Sequence, residues 1–277
     1  MADTFLSNIF NPVGIFIDDS NTIFLNNDQV SATVVTKLAA NGAFLGNAPI
    51  TAGFTDIATA HLTRDPLTGT LLALRSDGLL LGIDPNTLQV GSFFNIRDLP
   101  IDTSAIYDVA TGITDAFGGL ISPEFSTFGD ITAIANGGGV DLFVTGLSQA
   151  QTFPFVLRIR FRGGAFQDAQ VLFSSRADAL ALQPQAIRLT RGIAVNDQGT
   201  VLTTLPITPN VTPIEVPVAF NLNFTPGVDS PTIVGGGTVD VYSQGMDTDV
   251  AGNFYIATNS AGSTALGAAG EGALVYL

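Results

Sequence analysis

One hairpin recurs along this chain, and it constrains the fold more than any other feature. Its clearest copies are Gly192-Ile-Ala-Val-Asn-Asp-Gln-Gly199-Thr-Val-Leu202 and Gly245-Met-Asp-Thr-Asp-Val-Ala-Gly252-Asn-Phe-Tyr255. Looser copies run over residues 14–25, 57–74 and 130–144. Each copy is a short β-rich run, a polar turn carrying Asp, Asn or Gly, and a second β-rich run. A unit of this kind cannot bury its apolar faces alone, so repetition means stacked or radially arranged sheets.

The hairpins begin near residues 14, 57, 130, 192 and 245. Four-stranded propeller blades take about 40–50 residues each, so the spacing predicts an all-β single domain over 1–277, a β-propeller of five blades, with six as the alternative. Third and fourth strands are expected after the hairpins, at Ser31–Leu38 and Ala43–Leu45, Leu79–Ile83 and Leu88–Val90, Phe155–Phe161 and Ala169–Phe173, and Val218–Phe224 and Thr232–Val234. Turns at Ala40–Gly42, Asp84–Asn86, Arg162–Gly164 and Pro226–Gly227 supply the residues that positive φ requires. No convincing helix is expected, apart from a weak signal within 176–183. The wider spacings hold a second loop at 205–216 and a long insertion at about 98–128. The insertion carries Asp98, Asp102, Asp108, Asp115 and Glu124, and it is expected to lie over one face of the propeller as a contact surface. The last repeat ends at Gly272–Leu277 one strand short, while Thr4–Phe10 has no local partner. Pairing these two segments would tie the ring shut, in cis or by lending the strand to a neighbour.

Composition sets further limits. Hydrophobic residues make up 46% and charged residues 12%, with a mean hydropathy of +0.40, too apolar for disorder. No run approaches the roughly 18 apolar residues of a membrane span. A surface this poor in charge is solvated by Asn, Thr, Ser and Gln, or covered by partners. The net charge is −14 and Lys37 is the sole lysine, which disfavours nucleic acid and anionic membranes as partners. The one cationic cluster, Arg158-Ile-Arg-Phe-Arg162, puts its three arginines on one face of a strand, where a solvated or acid-paired face is expected. Without cysteine there are no disulfides or thiolate metal sites. The opening residues lack the basic and apolar regions of a signal peptide. The scarcity of lysine with abundant Thr, Asn and Gly favours an extracellular or cell-surface location, with the cytoplasm as alternative.

The residues Gly192-Ile-Ala-Val-Asn-Asp-Gln-Gly-Thr-Val-Leu202 and Gly245-Met-Asp-Thr-Asp-Val-Ala-Gly-Asn-Phe-Tyr-Ile256 give the chain its resemblance to β-propellers of the NHL-repeat and lactonase-like SMP-30 group. The resemblance implies the architecture and, as one functional option, a calcium-dependent lactonase. In that group the metal ligands commonly precede the first Gly of the hairpin as Glu, Asn or Asp. Here those slots hold Val13, Arg191 and Gln244, with Asp130 in a comparable slot of the third repeat. One carboxylate does not hold calcium.

Other candidate sites have plainer readings. Asp247 and Asp249 with Gly252 and Asn253 superficially suggest a calcium loop, but no bidentate Glu follows, so Asp249 is expected to bond the amides of its own turn. Asn196-Asp197 and Asp18-Asp19 are read the same way. His61, the lone histidine, is expected to be structural or to line the pore, since no Gly-x-Ser-x-Gly elbow accompanies it. The Gly runs at 136–139 and 234–237 lead into strands rather than helices and are turns, not phosphate loops. A sugar-binding propeller would lean on Trp and Tyr, and this chain has no Trp and four Tyr against twenty Phe. Asn210-Val-Thr212 and Asn223-Phe-Thr225 match the N-glycosylation pattern, which has meaning only in a secreted eukaryotic chain.

The function expected is a non-enzymatic extracellular interaction or structural module of a bacterial surface, with protein partners, among them further copies of itself. The alternatives are a carbohydrate-binding lectin and a divalent-metal lactonase-like hydrolase. No catalytic, cofactor-binding or metal residue is assigned.

Overall fold

The computed structural model describes residues 14–29, 32–50, 60–115, 125–148, 153–175, 192–206, 215–234, 243–259 and 272–276. Two compact units divide the chain, residues 1–98 and 99–277.

In the first unit, β1 (Ile15–Ile17), β2 (Ile23–Gln29), β3 (Ala32–Leu38) and β4 (Phe44–Pro49) form an antiparallel sheet in chain order. A second sheet of the same plan holds β5 (Ala60–Arg64), β6 (Leu71–Arg75), β7 (Leu79–Ile83) and β8 (Val90–Asn95), followed by a 3-10 turn over Ile96–Asp98. Phe24, Val35 and Ala48 of the first sheet, with Ile50 just after it, pack on Leu62, Leu71, Ala73, Leu81 and Ile83 of the second. The two sheets therefore meet face to face, the arrangement that lets alternate side chains interdigitate.

In the second unit the chain first forms three short strands, β9 (Ile101–Asp102), β10 (Ile106–Asp108) and β11 (Ile113–Asp115). Then come β12 (Phe125–Asn136), β13 (Gly139–Ser148), β14 (Pro154–Arg162) and β15 (Ala165–Ser174). A fourth sheet is β16 (Ile193–Val195), β17 (Thr200–Pro206), β18 (Glu215–Asn221) and β19 (Thr232–Ile233), and a fifth is β20 (Ser243–Thr248), β21 (Phe254–Asn259) and β22 (Gly272–Tyr276). The third sheet packs on the fourth through Phe143, Val156, Phe173, Val201, Val218, Phe220 and Phe224. The fourth packs on the fifth through Ala194, Leu202, Phe254 and Ile256.

All five expected hairpins are antiparallel pairs: β1–β2, β5–β6, β12–β13, β16–β17 and β20–β21. The strands expected at 43–45 and 169–173 are longer, Phe44–Pro49 and Ala165–Ser174, and two others are shifted along the chain. The strand expected at 88–90 runs from Val90 to Asn95, because Leu88 adopts a positive φ of 59° inside the preceding turn. The strand expected at 218–224 runs from Glu215 to Asn221. There the Asn221 side chain accepts the amide of Asn223 at 2.9 Å and the Phe224 amide returns to the Asn221 carbonyl at 2.8 Å. The resulting turn swings Phe224 into the core beside Phe173, with ring centroids 4.4 Å apart.

The described part of the insertion differs from its expected place over a face, and residues 116–124, Glu124 among them, lie outside those described. Over residues 101–115 the insertion extends the third sheet sideways, β9 and β10 pairing in parallel with β15 and β11 closing the edge on β10. β10 lies between β15 and β11, and its Ile106 and Asp108 are both fully buried. The pairing expected between residues 4–10 and 272–277 and the weak helix signal at 176–183 involve residues outside those described.

The aromatic packing of the second unit makes a direct test of the core. Phe173 is fully buried, with the Phe220 and Phe224 ring centroids at 4.6 and 4.4 Å. Phe173→Ala leaves a cavity at the junction of two sheets and is expected to lower stability by about 3–5 kcal/mol, read from urea unfolding. Gly146→Ala should also destabilise, since its new Cβ would meet the Phe155 ring at 2.4 Å and the Thr127 carbonyl at 2.9 Å.

Candidate functional site

The turns at the hairpin tips are polar because their acids are consumed locally. Asp249 accepts the amides of Ala251 and Asn253 at 2.9 and 3.0 Å, the Asn253 side-chain amide at 2.8 Å and the Tyr255 hydroxyl at 3.1 Å. Gly252 completes this turn at a φ of +86°, a conformation that favours a residue without Cβ. Asp18 takes the amides of Ser20 and Thr22, and Asn196 that of Thr200. The turn reading of these residues is therefore what the side chains do. The two clearest repeats also hold one another: Asn196 Nδ2 donates to the Gly252 carbonyl at 3.0 Å.

Asp130 lies on β12, 8% exposed. Its Oδ1 accepts the Ile131 amide at 2.8 Å and its Oδ2 the Ile193 amide at 3.1 Å, while its own amide donates to Thr145 Oγ1 at 2.8 Å. Both carboxylate oxygens thus bind backbone, and the second ties the third sheet to the fourth. Asp247 sits near enough on β20 to feel this charge. The residue keeps solvent contact, yet desolvation of its carboxyl, with the charge of Asp130, pushes that group above the usual range, against the pull of the Thr248 amide. Among the described residues no three His, Cys, Asp or Glu gather as metal ligands. Val13 and Arg191 lie outside those residues, Gln244 falls within β20, and His61 is buried on β5, 5% exposed.

The arginine strand is paired internally. Arg160 forms a two-point bond with Asp168 at 2.8 and 2.7 Å, and Arg162 bonds Asp141 at 2.6 Å. Arg158 is buried, which lowers its affinity for a proton. It donates to the carbonyls of Phe224 and Leu222 at 2.9 and 3.3 Å and to Gln170 at 3.2 Å. Here a cation caps carbonyls freed by the turn after β18.

The first unit contains a cavity of about 270 Å³ between its two sheets, next to the β1–β2 and β5–β6 turns. Lys37 and Arg64 line it together with Asp18. The Lys37 ammonium donates to the Pro85 carbonyl at 2.7 Å and stands 5.7 Å from the centroid of the Phe24 ring. Arg64 makes two long bonds of 3.4 Å, from Nε to the Gly69 carbonyl and from Nη1 to Asp19, whose side chain is 99% exposed. Sequence reasoning missed this cavity. The signal available was the lone lysine, but nothing local to residues 37, 64 and 85 links them.

No family model matches the chain, and no curated protein matches it. Its structure is similar to an endo-arabinase from Bacteroides thetaiotaomicron VPI-5482, with a TM-score of 0.54 and 11% identity over 99% of this chain and 95% of that one. It is also similar to the α-L-arabinanase of Penicillium chrysogenum complexed with arabinobiose, with a TM-score of 0.51 and 8% identity over 90% and 75% of the two chains. A putative gluconolactonase follows at a TM-score of 0.46 and 12% identity, over 98% and 79%. At these identities the likeness is one of fold, and the fold is that of the β-propeller proteins.

Two acids of one hairpin carry opposite pH signatures. Asp247 has a raised folded value, so its charge costs stability at neutral pH, and the cost fades as pH falls through that folded value and is gone by the unfolded value of about 4. Asp247→Asn, which keeps an acceptor for the Thr248 amide, should raise Tm at pH 7 and lose that advantage in acid. Asp249 is held below its ordinary value, first by the Asn253 side chain, so its contribution is present above about pH 4 and is lost as pH falls through the folded value. Asp249→Asn should lower Tm at pH 7, with the deficit narrowing towards pH 3. Melting curves of both variants across that range check the two signs.

Proposed function

We propose that the chain forms a five-bladed propeller, closed by its terminal strands, that serves as a non-catalytic contact module outside a bacterial cell, with further copies of itself among its protein partners. Five sheets among the described residues, each built on an antiparallel meander and each successive pair within a unit packed face to face, support the blade count. The turns Gly192–Leu202 and Gly245–Tyr255, with their Asn and Asp side chains on backbone amides, support kinship with NHL-type hairpins.

The observation that carries the functional reading is apolar surface on a sheet edge. β4 is the outermost strand of the first sheet, and Phe44 and Leu45 on it are 64% and 53% exposed. An edge strand presents backbone donors and acceptors to a neighbouring chain, and apolar side chains there favour such pairing. Pro49 at its end limits the pairing to a short segment. The inner-strand carboxylate Asp130 adds support, since both its oxygens are engaged by backbone amides. The composition, with 12% charged residues, supports a surface partly covered by partners.

Sedimentation of the full chain over a range of concentrations tests the contact. Self-association is expected, and Phe44→Ser with Leu45→Ser should weaken it while leaving the melting temperature nearly unchanged. Turnover of lactone or arabinan substrates is expected to be absent with or without calcium. Hydrolysis abolished by EDTA would overturn the non-catalytic reading, and a monomer at every concentration would overturn self-contact.

A further inference from the structure

We propose that the 270 Å³ cavity of the first unit is a binding site for a small sugar acid of single-ring size, such as a hexuronate. The site is independent of the edge-strand contact, since the ligand enters between two sheets rather than along β4.

Size comes first. Sites for drug-sized ligands start at about 300 Å³, so this cavity admits one ring with its substituents and not an oligomer. Charge comes next. In a chain of net charge −14 the lining carries two cations, Lys37 and Arg64, against one carboxylate, Asp18. At physiological salt, charges beyond about 8 Å are largely screened, so a ligand in the cavity meets these two cations directly, with Asp18 in the wall and Asp19 and Asp84 beside them.

Both cations have unused capacity. An ammonium has three donors, and Lys37 makes one hydrogen bond among the described residues. Arg64 Nη2 has no hydrogen-bond partner among them, and the link from Nη1 to Asp19 is long and open to water. Such an exposed pair holds little energy, about 0–1 kcal/mol, so a ligand carboxylate can replace Asp19 on the guanidinium fork at small cost. Gly69 leaves room for that fork: a Cβ there would stand 3.0 Å from Arg64 Nη2.

The remaining lining suits a ring bearing hydroxyls. Phe16 and Leu71 offer an apolar wall, while Ser20, Thr22 and Asn86 offer polar groups. Asp18 uses Oδ1 for the amides of Ser20 and Thr22, which leaves Oδ2 as an acceptor for a ligand hydroxyl. Other acids do stand close by. Asp84 lies near enough to Lys37 for its carboxyl to be lowered in part by that charge, although the amides of Asn86 and Thr87 do most of this. They set a preference for a single carboxylate over a doubly charged phosphate.

Calorimetric titration of the full chain with glucuronate, glucose and acetate at neutral pH tests the assignment. Saturable glucuronate binding, on the order of millimolar or tighter, is expected, with glucose and acetate each roughly tenfold weaker or more. Lys37→Met and Arg64→Gln should each weaken glucuronate by about tenfold or more. Arg64 is partly exposed, so its variant should fold even where Lys37→Met does not. Absence of saturable glucuronate binding overturns the proposal. So does acetate binding as tightly as glucuronate, or glucose doing so, or an Arg64→Gln variant that melts and binds like the parent. Loss of self-association in the Phe44 and Leu45 variants leaves this titration unchanged, which keeps the two tests separate.

Discussion

Everything in the second unit depends on apolar contact between the faces of successive sheets. Phe143, Phe173, Phe220 and Phe224 meet where the third sheet packs on the fourth, and each ring is held by at least one other at 6.0 Å or less. Covering a sheet on both sides has a cost that single-sided sheets avoid. Every residue of β13 from Gly139 to Ser148 is buried, so the polar members of its alternation cannot turn to water. Buried polar groups need partners within the protein, and β13 finds them. Asp141 takes Arg162, and Thr145 takes the amide of Asp130.

The same requirement explains the roles of the charged side chains in this unit. Arg158 is not a surface cation, for it completes the carbonyls of a turn that dives inward to deliver Phe224. Asp130 is not a free acid, for it joins Ile131 and Ile193 on neighbouring sheets. A chain with 12% charged residues spends several of them on such internal work, and its exterior is left with apolar side chains such as Ile15, Ile17 and Phe44 in view.

The hairpins were legible because they are local: Gly, Asn or Asp at a tip and β-branched residues on either side fix both strands within a dozen positions. Asp249 could be assigned to its turn for the same reason. Less was legible wherever a distant partner decides. The bounds of β18 follow from the pairing of Glu215 with Pro206 at its start and from a turn that Asn221 closes at its end, and neither shows in the apolar run itself. The sideways placement of residues 101–115 depends on the free edge of β15. The cavity depends on residues 37, 64 and 86 arriving together from two sheets, and no spacing in the chain records that meeting.

That sideways placement bears on the order in which the chain can assemble. Ile101 lies opposite Ala169 and Tyr107 opposite Phe173, so the segment comes out of the ribosome well before the strand it will lie against. Three intervening strands must pair in turn before the edge exists. Contacts of such long sequence separation slow folding, and until β15 arrives the short alternations at 101–108 are unpaired segments beside an incomplete sheet. The step that completes this sheet is therefore a late one, and a chain released before residue 174 would lack the edge that these strands need.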